Sequence, residues 1–217
     1  MSFISSLLDL LFPPKCVFCG KVLSRGDEDW CGKCTETLPY ALDGGFQEGE
    51  YFDFCISPLY YKGVVRKSIL RFKFGGAAAY ADAYGKLLAD CIREHPGINY
   101  DIISWVPLSG KRERSRGYDQ AMLLALATAL ELNDVAAETL KKPKDVQAQS
   151  ELSGRVERSA NISGAYIAPD PELIAGKCIL LIDDIVTTGS TLSECAKVLL
   201  SAGASRVVCA ALASASQ

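Results

Sequence analysis

The chain has very little histidine, methionine and tryptophan, which limits the chemistry it can carry. Its 217 residues include one histidine, two methionines and two tryptophans. A Ser–His or Cys–His catalytic pair would have to use His95, which precedes Pro96 at a predicted helix end and has no evident serine or cysteine partner. We interpret His95 as a surface or helix-capping residue.

Several sequence patterns are also absent. No stretch approaches the roughly 18 apolar residues that predict a membrane-spanning helix. There is no GxxxxGK(S/T) loop and no GxGxxG after a predicted strand, which argues against ATP-motor chemistry and dinucleotide binding. The net charge of −3 gives no general attraction to nucleic acids or anionic membranes, so such affinity would need local basic clusters.

Cysteine, in contrast, is abundant. Four of the nine cysteines lie between Cys16 and Cys34, and the other five lie in apolar surroundings where we predict small core residues: Cys55, Cys91, Cys178, Cys195 and Cys209. The N-terminus lacks the charged start and long apolar run of a secretion signal, because Asp9 interrupts it. We therefore expect a cytoplasmic protein, either free or peripheral to the inner face of the membrane.

The first 54 residues divide into three predicted segments. Apolar residues between Phe3 and Phe12 predict an amphipathic helix that Pro13 ends. This helix either packs on the protein's own core or docks on a partner or a membrane interface. Residues 1–40 thus hold the helix and a four-cysteine module, the polar, glycine-bearing residues 41–54 form a linker, and residues 55–217 form the main domain.

In the main domain, strand-like and helical segments alternate. We predict strands near Cys55–Tyr61, Ile102–Val106, Thr139 and Ile162, helices near Val64–Phe74, Ala79–Arg93 and Tyr118–Leu130, and a final strand–helix–strand at Lys177–Leu212. This alternation predicts an α/β fold with a mainly parallel sheet covered by helices.

The four-cysteine module contains two CxxC pairs, Cys16–Cys19 and Cys31–Cys34, separated by eleven residues. Each short turn can aim two thiolates at one ion, and four thiolates satisfy the tetrahedral preference of zinc. The spacer is shorter than in most zinc ribbons, so a pair of disulfides or redox-active cysteines remains an alternative. Four protein ligands leave no open position for water, and the predicted zinc is therefore structural.

The segment from Ile179 to Leu192 carries the strongest signal for a ligand site. A buried-strand run ends at Asp183 and Asp184, and a loop rich in hydroxyl groups then leads into a helix. The helix N-terminus and the loop hydroxyls can bind a phosphate, while the two acids can receive ribose hydroxyls or a magnesium ion. The alternative is an ordinary capped helix, which does not require both acids together with four hydroxyls.

These residues resemble a known signature. Ile179 to Thr191 looks like the phosphoribosyl pyrophosphate signature of type I phosphoribosyltransferases. Over nearly its full length the chain resembles the ComF (competence protein F) family, through the cysteine pairs, the Arg116–Gln120 sequence RGYDQ and a further set of residues: Gln149, Leu152, Ser153, Arg158, Asn161 and Gly164.

The resemblance implies a type I phosphoribosyltransferase fold with a small N-terminal zinc-ribbon-like module. It also implies roles for particular residues. Ribose contacts, and any catalytic role, would fall on Asp183 and Asp184, and the 5′-phosphate on Thr187, Thr188, Gly189, Ser190 and Thr191. A pyrophosphate-binding turn would follow the strand at Ile102–Val106, at Pro107, Leu108, Ser109 and Gly110.

Three basic clusters flank the predicted cleft, and they suit either pyrophosphate or single-stranded DNA. The residues that we assign to a nucleic-acid surface are Arg66, Lys67, Arg71, Lys73, Arg112, Arg114 and Arg116, and a third cluster follows at Lys141, Lys142 and Lys144. Each cluster alone is also compatible with an ordinary solvated face. The sequence does not separate these alternatives.

Two functions follow as hypotheses. The ComF resemblance implies a role in natural transformation, in which the protein handles incoming single-stranded DNA behind a membrane channel and its helicase, and binds phosphoribosyl pyrophosphate with magnesium. The alternative is an active enzyme that transfers phosphoribosyl to a nucleobase or amine, with electrostatic stabilisation of the leaving pyrophosphate. The region Tyr60–Tyr84, which would shape an acceptor pocket, has no motif that identifies the acceptor.

Overall fold

The computed structural model of the protein describes residues 13–24, 26–143 and 165–215. Several sequence predictions lie outside these residues: the helix at Phe3–Phe12, the strand near Ile162, Lys144 and the six family residues between Gln149 and Gly164. The side chain of Arg112 also lies outside the described part.

The main domain alternates strands and helices, as the sequence predicts. In chain order the elements are α1 (Gly32–Thr37), a 3₁₀ helix (Leu42–Gly45), β1 (Cys55–Ile56), β2 (Leu59–Tyr60), α2 (Gly63–Phe74), α3 (Tyr80–Glu94), β3 (Ile102–Trp105), α4 (Gly110–Arg116), α5 (Gln120–Glu131), α6 (Pro171–Ile174), β4 (Cys178–Val186), α7 (Ser190–Ser201) and β5 (Arg206–Ser214).

The strands form one parallel sheet in the order β1–β5–β4–β3, and β2 also pairs with β5. Successive side chains of β4 point to opposite faces, so Leu180 and Ile182 join one core cluster while Ile179 and Leu181 join the other. Helices α2, α3 and α5 cover the first face and α7 covers the second. The predicted fold class is confirmed.

The predicted strand at Cys55–Tyr61 is interrupted. Strand β1 places Ile56 opposite Ala210 and β2 places Leu59 opposite Ala213, so both short strands follow β5 in one register. The gap contains Pro58, which has no N–H to donate to a ladder. Proline is tolerated there because the strand is at the edge of the sheet.

The prediction of a strand near Thr139 is wrong. Residues around it form only isolated bridges, from Ala136 to Ile103 and from Lys141 to Ile167. Instead of a strand ladder, side chains join the segment to β3: the hydroxyl groups of Ser104 and Thr139 are 2.7 Å apart, and the N–H of Thr139 donates to Ser104 Oγ at 3.3 Å.

The cysteines outside the four-cysteine module behave largely as predicted. Cys55, Cys195 and Cys209 are fully buried, whereas Cys91 and Cys178 are only partly buried against the core. Burial raises the pKa of Cys55 and Cys195, which makes both thiols poor nucleophiles. All nine cysteines lie in the described residues, and none of them forms a disulfide.

Candidate functional site

The acid pair lies within strand β4 rather than after it. Hydrogen bonding continues beyond Ile182, so that Asp183 lies opposite Ala211 and Val186 opposite Ser214. Burial raises the pKa of Asp183, and the charge of Asp184 raises it further. The N–H of Asp184 donates to Asp183 Oδ1 at 2.7 Å and acts in the opposite direction. The partly accessible Asp183 therefore resists carrying a full charge beside its neighbour.

Lys73 supplies a counter-charge to the second acid. Its Nζ lies 2.7 Å from Asp184 Oδ1, and the two side chains are 17% and 11% exposed. Shielding from water strengthens this pair relative to an ion pair on the open surface. A ligand that binds Asp184 must compete with Lys73 or rearrange it.

The loop after β4 has the geometry of an anion-binding turn. Gly189 precedes α7 with φ of 76°, a left-handed conformation that favours glycine. The N–H of Ser190 donates to Thr188 Oγ1 at 3.4 Å, and the Thr188 hydroxyl donates to Ser190 Oγ at 3.1 Å. Exposed hydroxyl groups surround the N-terminus of this 12-residue helix: Thr187, Thr188, Ser190 and Thr191.

A second turn follows β3, and Asp119 holds it in place. This buried carboxylate accepts the N–H of Leu108 at 2.7 Å through Oδ2 and the N–H of Met122 at 3.1 Å through Oδ1. It therefore caps α5 and fixes the turn at Pro107–Gly110 with the same side chain. Burial raises the pKa of Asp119, and the backbone N–H donors partly oppose that shift.

The neighbouring residues of the RGYDQ sequence make further connections. The Tyr118 hydroxyl donates to the carbonyl of Phe72 in α2, and Arg116 Nη1 donates to Gln120 Oε1 at 2.7 Å. Gln120 is 1% exposed, so it holds the guanidinium of Arg116 from within the fold. This sequence therefore joins the turn to α2.

A cleft of about 240 Å³ lies between the acid pair and the turn. Six of the predicted ligand residues line it: Asp183, Asp184, Thr191, Pro107, Leu108 and Ser109. Thr187, Gly189 and Ser190 line a recess of about 20 Å³ that shares Asp183 and Thr191 with the cleft. Gly110 lines a second cleft that shares Pro107, Leu108, Asp119 and Lys142 with the first. Thr188 lies in the loop.

The cleft also contains residues that the sequence analysis did not assign to this ligand. Lys142 and Tyr166 face it, with Lys142 Nζ 4.5 Å from the centre of the Tyr166 ring and donating to its hydroxyl at 3.2 Å. Lys142 belongs to the third basic cluster of the sequence, but no sequence pattern indicated a ligand role for Tyr166. Lys73 and Arg116 line the same cleft, so three cationic side chains line it together with the acid pair.

The residues assigned to a nucleic-acid surface do not share one face. Arg66, Lys67 and Arg114 are exposed. Arg71 donates to the carbonyls of Val17 and Phe18 at 2.9 and 2.7 Å, and Lys73 pairs with Asp184. A role in nucleic-acid binding therefore stays a prediction, and Arg71 and Lys73 fit it less well because their charges are used within the fold.

The four cysteines of the N-terminal module converge on one point. All four Sγ atoms lie within 4.8 Å of one another, with Cys16 and Cys34 separated by 3.6 Å and Cys19 and Cys31 by 3.7 Å. A tetrahedron with Zn–S bonds of about 2.3 Å has edges of about 3.8 Å. A disulfide would need a separation of about 2.05 Å. The arrangement fits a structural zinc ion.

Hydrogen bonds prepare this cluster for metal binding. Burial alone would raise the pKa of Cys16, but backbone N–H groups, including that of Cys19, lower it to about 7. Burial raises the pKa of Cys34, and its contact with Cys16 adds to the effect. One thiolate is thus favoured before the metal binds, and zinc would displace the remaining protons.

The module is attached to the main domain through its first CxxC turn. Ser68 and Arg71 of α2 donate to the Val17 carbonyl, and the buried ring of Phe18 packs 6.1 Å from that of Tyr84. Lys86 of α3 pairs with Asp29 at 2.7 Å. The module therefore packs on the same helices that cover the sheet.

Comparison with known proteins identifies the family. The Phosphoribosyl transferase domain matches residues 114–217, and the Double zinc ribbon domain matches residues 7–44. Competence protein F of Haemophilus influenzae is 31% identical over 203 residues, which cover 89% of this chain and 82% of that protein. The chain belongs to the competence protein F (ComF) family. The zinc-ribbon match and the cysteine cluster together support structural zinc in this ComF protein.

Other relatives match over shorter spans. The DNA utilization protein YhgH of Salmonella typhimurium is 33% identical over 140 residues, which cover 62% of this chain and 60% of that protein. The match thus spans less than two thirds of that relative. A solved structure of "the allosteric regulatory enzyme of purine biosynthesis" is 20% identical over 61% of this chain and 25% of its own, with a TM-score of 0.44.

The helices of the described residues are all too short or too polar to cross a membrane.

We expect Cys34→Ser to lose zinc and to lower the thermal unfolding midpoint, because structural zinc contributes directly to folding free energy. Zinc content by atomic absorption should fall from about one ion per chain. Lys33→Ser is the matched control, since Lys33 is exposed between Cys31 and Cys34. Wild-type protein with far less than one zinc, or a Cys34→Ser variant of unchanged stability, would contradict the assignment.

Replacing Arg71 by methionine should lower the free energy of unfolding by about 2 kcal/mol, because two carbonyls of the cysteine module lose a charged donor. Urea unfolding measures the change. Arg66→Met, on the exposed side of the same helix, should stay within about 0.5 kcal/mol of the wild type. Equal stability of the two variants would show that Arg71 does not hold the module.

Proposed function

We propose that this ComF-family protein binds phosphoribosyl pyrophosphate with magnesium in the cleft between β4 and the turn after β3. The observation that carries the proposal is the meeting of three groups in one place: the acid pair, the hydroxyl-rich loop and the Pro107–Gly110 turn. A sugar carrying phosphates at both ends requires hydrogen-bond donors for the two phosphate groups, and hydrogen-bond acceptors between them for the sugar hydroxyls. The cleft offers this order of groups.

Each part of the ligand has a partner of suitable chemistry. The loop and the N-terminus of α7 would hold the 5′-phosphate, and Asp183 and Asp184 would accept the ribose hydroxyls or hold magnesium. Bound magnesium would neutralise charge on the pyrophosphate. Lys73, Arg116 and Lys142 line the cleft and would attract the pyrophosphate charge.

We further propose a cytoplasmic role in natural transformation. One relative is named Competence protein F and another DNA utilization protein, and these names support a role in DNA uptake or use. Incoming single-stranded DNA would contact the exposed basic residues Arg66, Lys67 and Arg114. A DNA-uptake helicase or channel protein would be the partner that delivers the strand.

A second candidate is phosphoribosyl transfer to a nucleobase or amine. Three cationic side chains line the cleft and favour it, because the reaction needs stabilisation of developing negative charge on pyrophosphate. The match to the Phosphoribosyl transferase domain also favours it. In this mechanism Asp183 and Asp184 would orient the ribose while the acceptor attacks the anomeric carbon and the C–O bond to pyrophosphate breaks.

Phosphoribosyl pyrophosphate with magnesium should raise the thermal unfolding midpoint. At a ligand concentration about 100 times the dissociation constant, the stabilisation is about 2.7 kcal/mol. The double substitution Asp183→Asn and Asp184→Asn should abolish the shift, whereas Asp82→Asn, an exposed acid of α3, should retain it. Absence of any shift in the wild type would overturn the proposed binding.

Pyrophosphate release measures whether the bound ligand turns over. With phosphoribosyl pyrophosphate, magnesium and a panel of nucleobases and amines, an active transferase should release pyrophosphate in the presence of one acceptor class. Ligand binding without release for any acceptor would reject the second candidate and favour the binding role. Release should depend on the acid pair and survive Asp82→Asn.

A further inference from the structure

The end of helix α2 exposes an aromatic ring that core packing does not explain. Phe74 is 66% exposed, although the preceding aromatic residue of the helix, Phe72, is fully buried. Arg116 lies over the ring of Phe74, with its guanidinium carbon 4.8 Å from the ring centre. One face of the ring is therefore covered by a cation, and the ring as a whole remains largely open to solvent.

Phe74 does not itself line the cleft, but it adjoins two residues that do. The residue before it, Lys73, and its partner Arg116 both line the cleft. Gln120 holds the guanidinium through its 2.7 Å hydrogen bond, so that the arginine cannot turn freely away.

We propose that Phe74 and Arg116 form a stacking platform for a nucleobase beside the cleft. Aromatic rings and guanidinium planes are the groups on which proteins stack unpaired bases, and such stacking tolerates different bases. The inference rests on the proposed function, because a base stacked there lies next to the proposed phosphoribosyl site. It adds Phe74 to that site and gives Arg116 a second role.

The base can come from two sources. A free base would sit on the platform as the acceptor of the phosphoribosyl group. A base within single-stranded DNA would place its backbone along α2, where Arg66 and Lys67 are exposed. Seven residues separate Lys67 from Phe74, which corresponds to about 10 Å along the helix axis, so one short strand can contact both. In either case the ring contacts the base.

The first arm of the test uses fluorescence anisotropy with a single strand of about 16 nucleotides and with an abasic strand of the same length. Phe74→Ala and Phe74→Leu should weaken binding of the normal strand about ten-fold, because one stacking contact is lost. Phe74→Tyr should restore it. Binding of the abasic strand, which has the same charge but no bases, should be equal in all of these variants.

The second arm uses free nucleobases with the protein saturated by phosphoribosyl pyrophosphate and magnesium. Calorimetry should detect base binding that Phe74→Ala weakens about ten-fold and Phe74→Tyr retains. Dependence on Phe74 in the strand arm alone assigns the platform to DNA, and dependence in the free-base arm alone assigns it to an acceptor. Leu130→Ala, another exposed apolar residue of the main domain, is the control for both arms.

Two results would overturn the platform. In the first, Phe74→Ala and Phe74→Leu bind the normal strand and the free nucleobases with the affinity of the wild type. In the second, the wild type binds neither the normal strand nor a free nucleobase. The thermal shift with phosphoribosyl pyrophosphate is measured in the same preparations. It distinguishes failure of the stacking platform from failure of the proposed phosphoribosyl pyrophosphate site. A wild type that shows this shift but binds no base refutes the platform and leaves the proposed ligand standing, whereas absence of the shift refutes the proposed ligand itself.

Discussion

The last turn of helix α2 connects three parts of the molecule through three consecutive residues. Arg71 donates to the cysteine module, the Phe72 carbonyl accepts from Tyr118 of the RGYDQ sequence, and Lys73 pairs with Asp184 in the cleft. The side chains of Arg71 and Lys73 point in different directions, because consecutive helical residues are about 100° apart. The Phe72 carbonyl is one of the last four of the helix, which have no partner within it and can accept from Tyr118. The zinc module, the turn-holding sequence and the acid pair are thereby set relative to one another.

The parallel sheet explains why distant segments share one cleft. Strands β3 and β4 are neighbours in register, with Trp105 opposite Ile182, so the turn after β3 and the acids of β4 lie at the same edge. Open α/β sheets bind ligands at this edge because the strands end there and loops are free to diverge. Asp119, at the N-terminus of α5, then fixes the turn through the N–H of Leu108.

Much of the fold and part of the candidate site could be predicted from the sequence. Helices α2, α3 and α5 and strands β3, β4 and β5 have the length and periodicity that local patterns reveal, and their predicted bounds agree with the structure to within a few residues. The break at Pro58 and the irregular segment at Thr139 were not predicted, because edge pairing depends on which neighbour is available. Tyr166 gave no signal, since its place in the cleft depends on packing in the second core cluster and on its contact with Lys142.

The sequence by itself determined the groups whose atoms lie close along the chain: the two CxxC turns, and the acids and hydroxyls between Asp183 and Thr191. Their chemistry is local, so spacing alone is informative. Only the tertiary structure decided what each basic side chain does. Arg66, Arg71 and Lys73 belong to one cluster in the sequence, but helix geometry sends them to solvent, to the cysteine module and to Asp184. A long charged side chain takes its role from the partner that the fold brings near it.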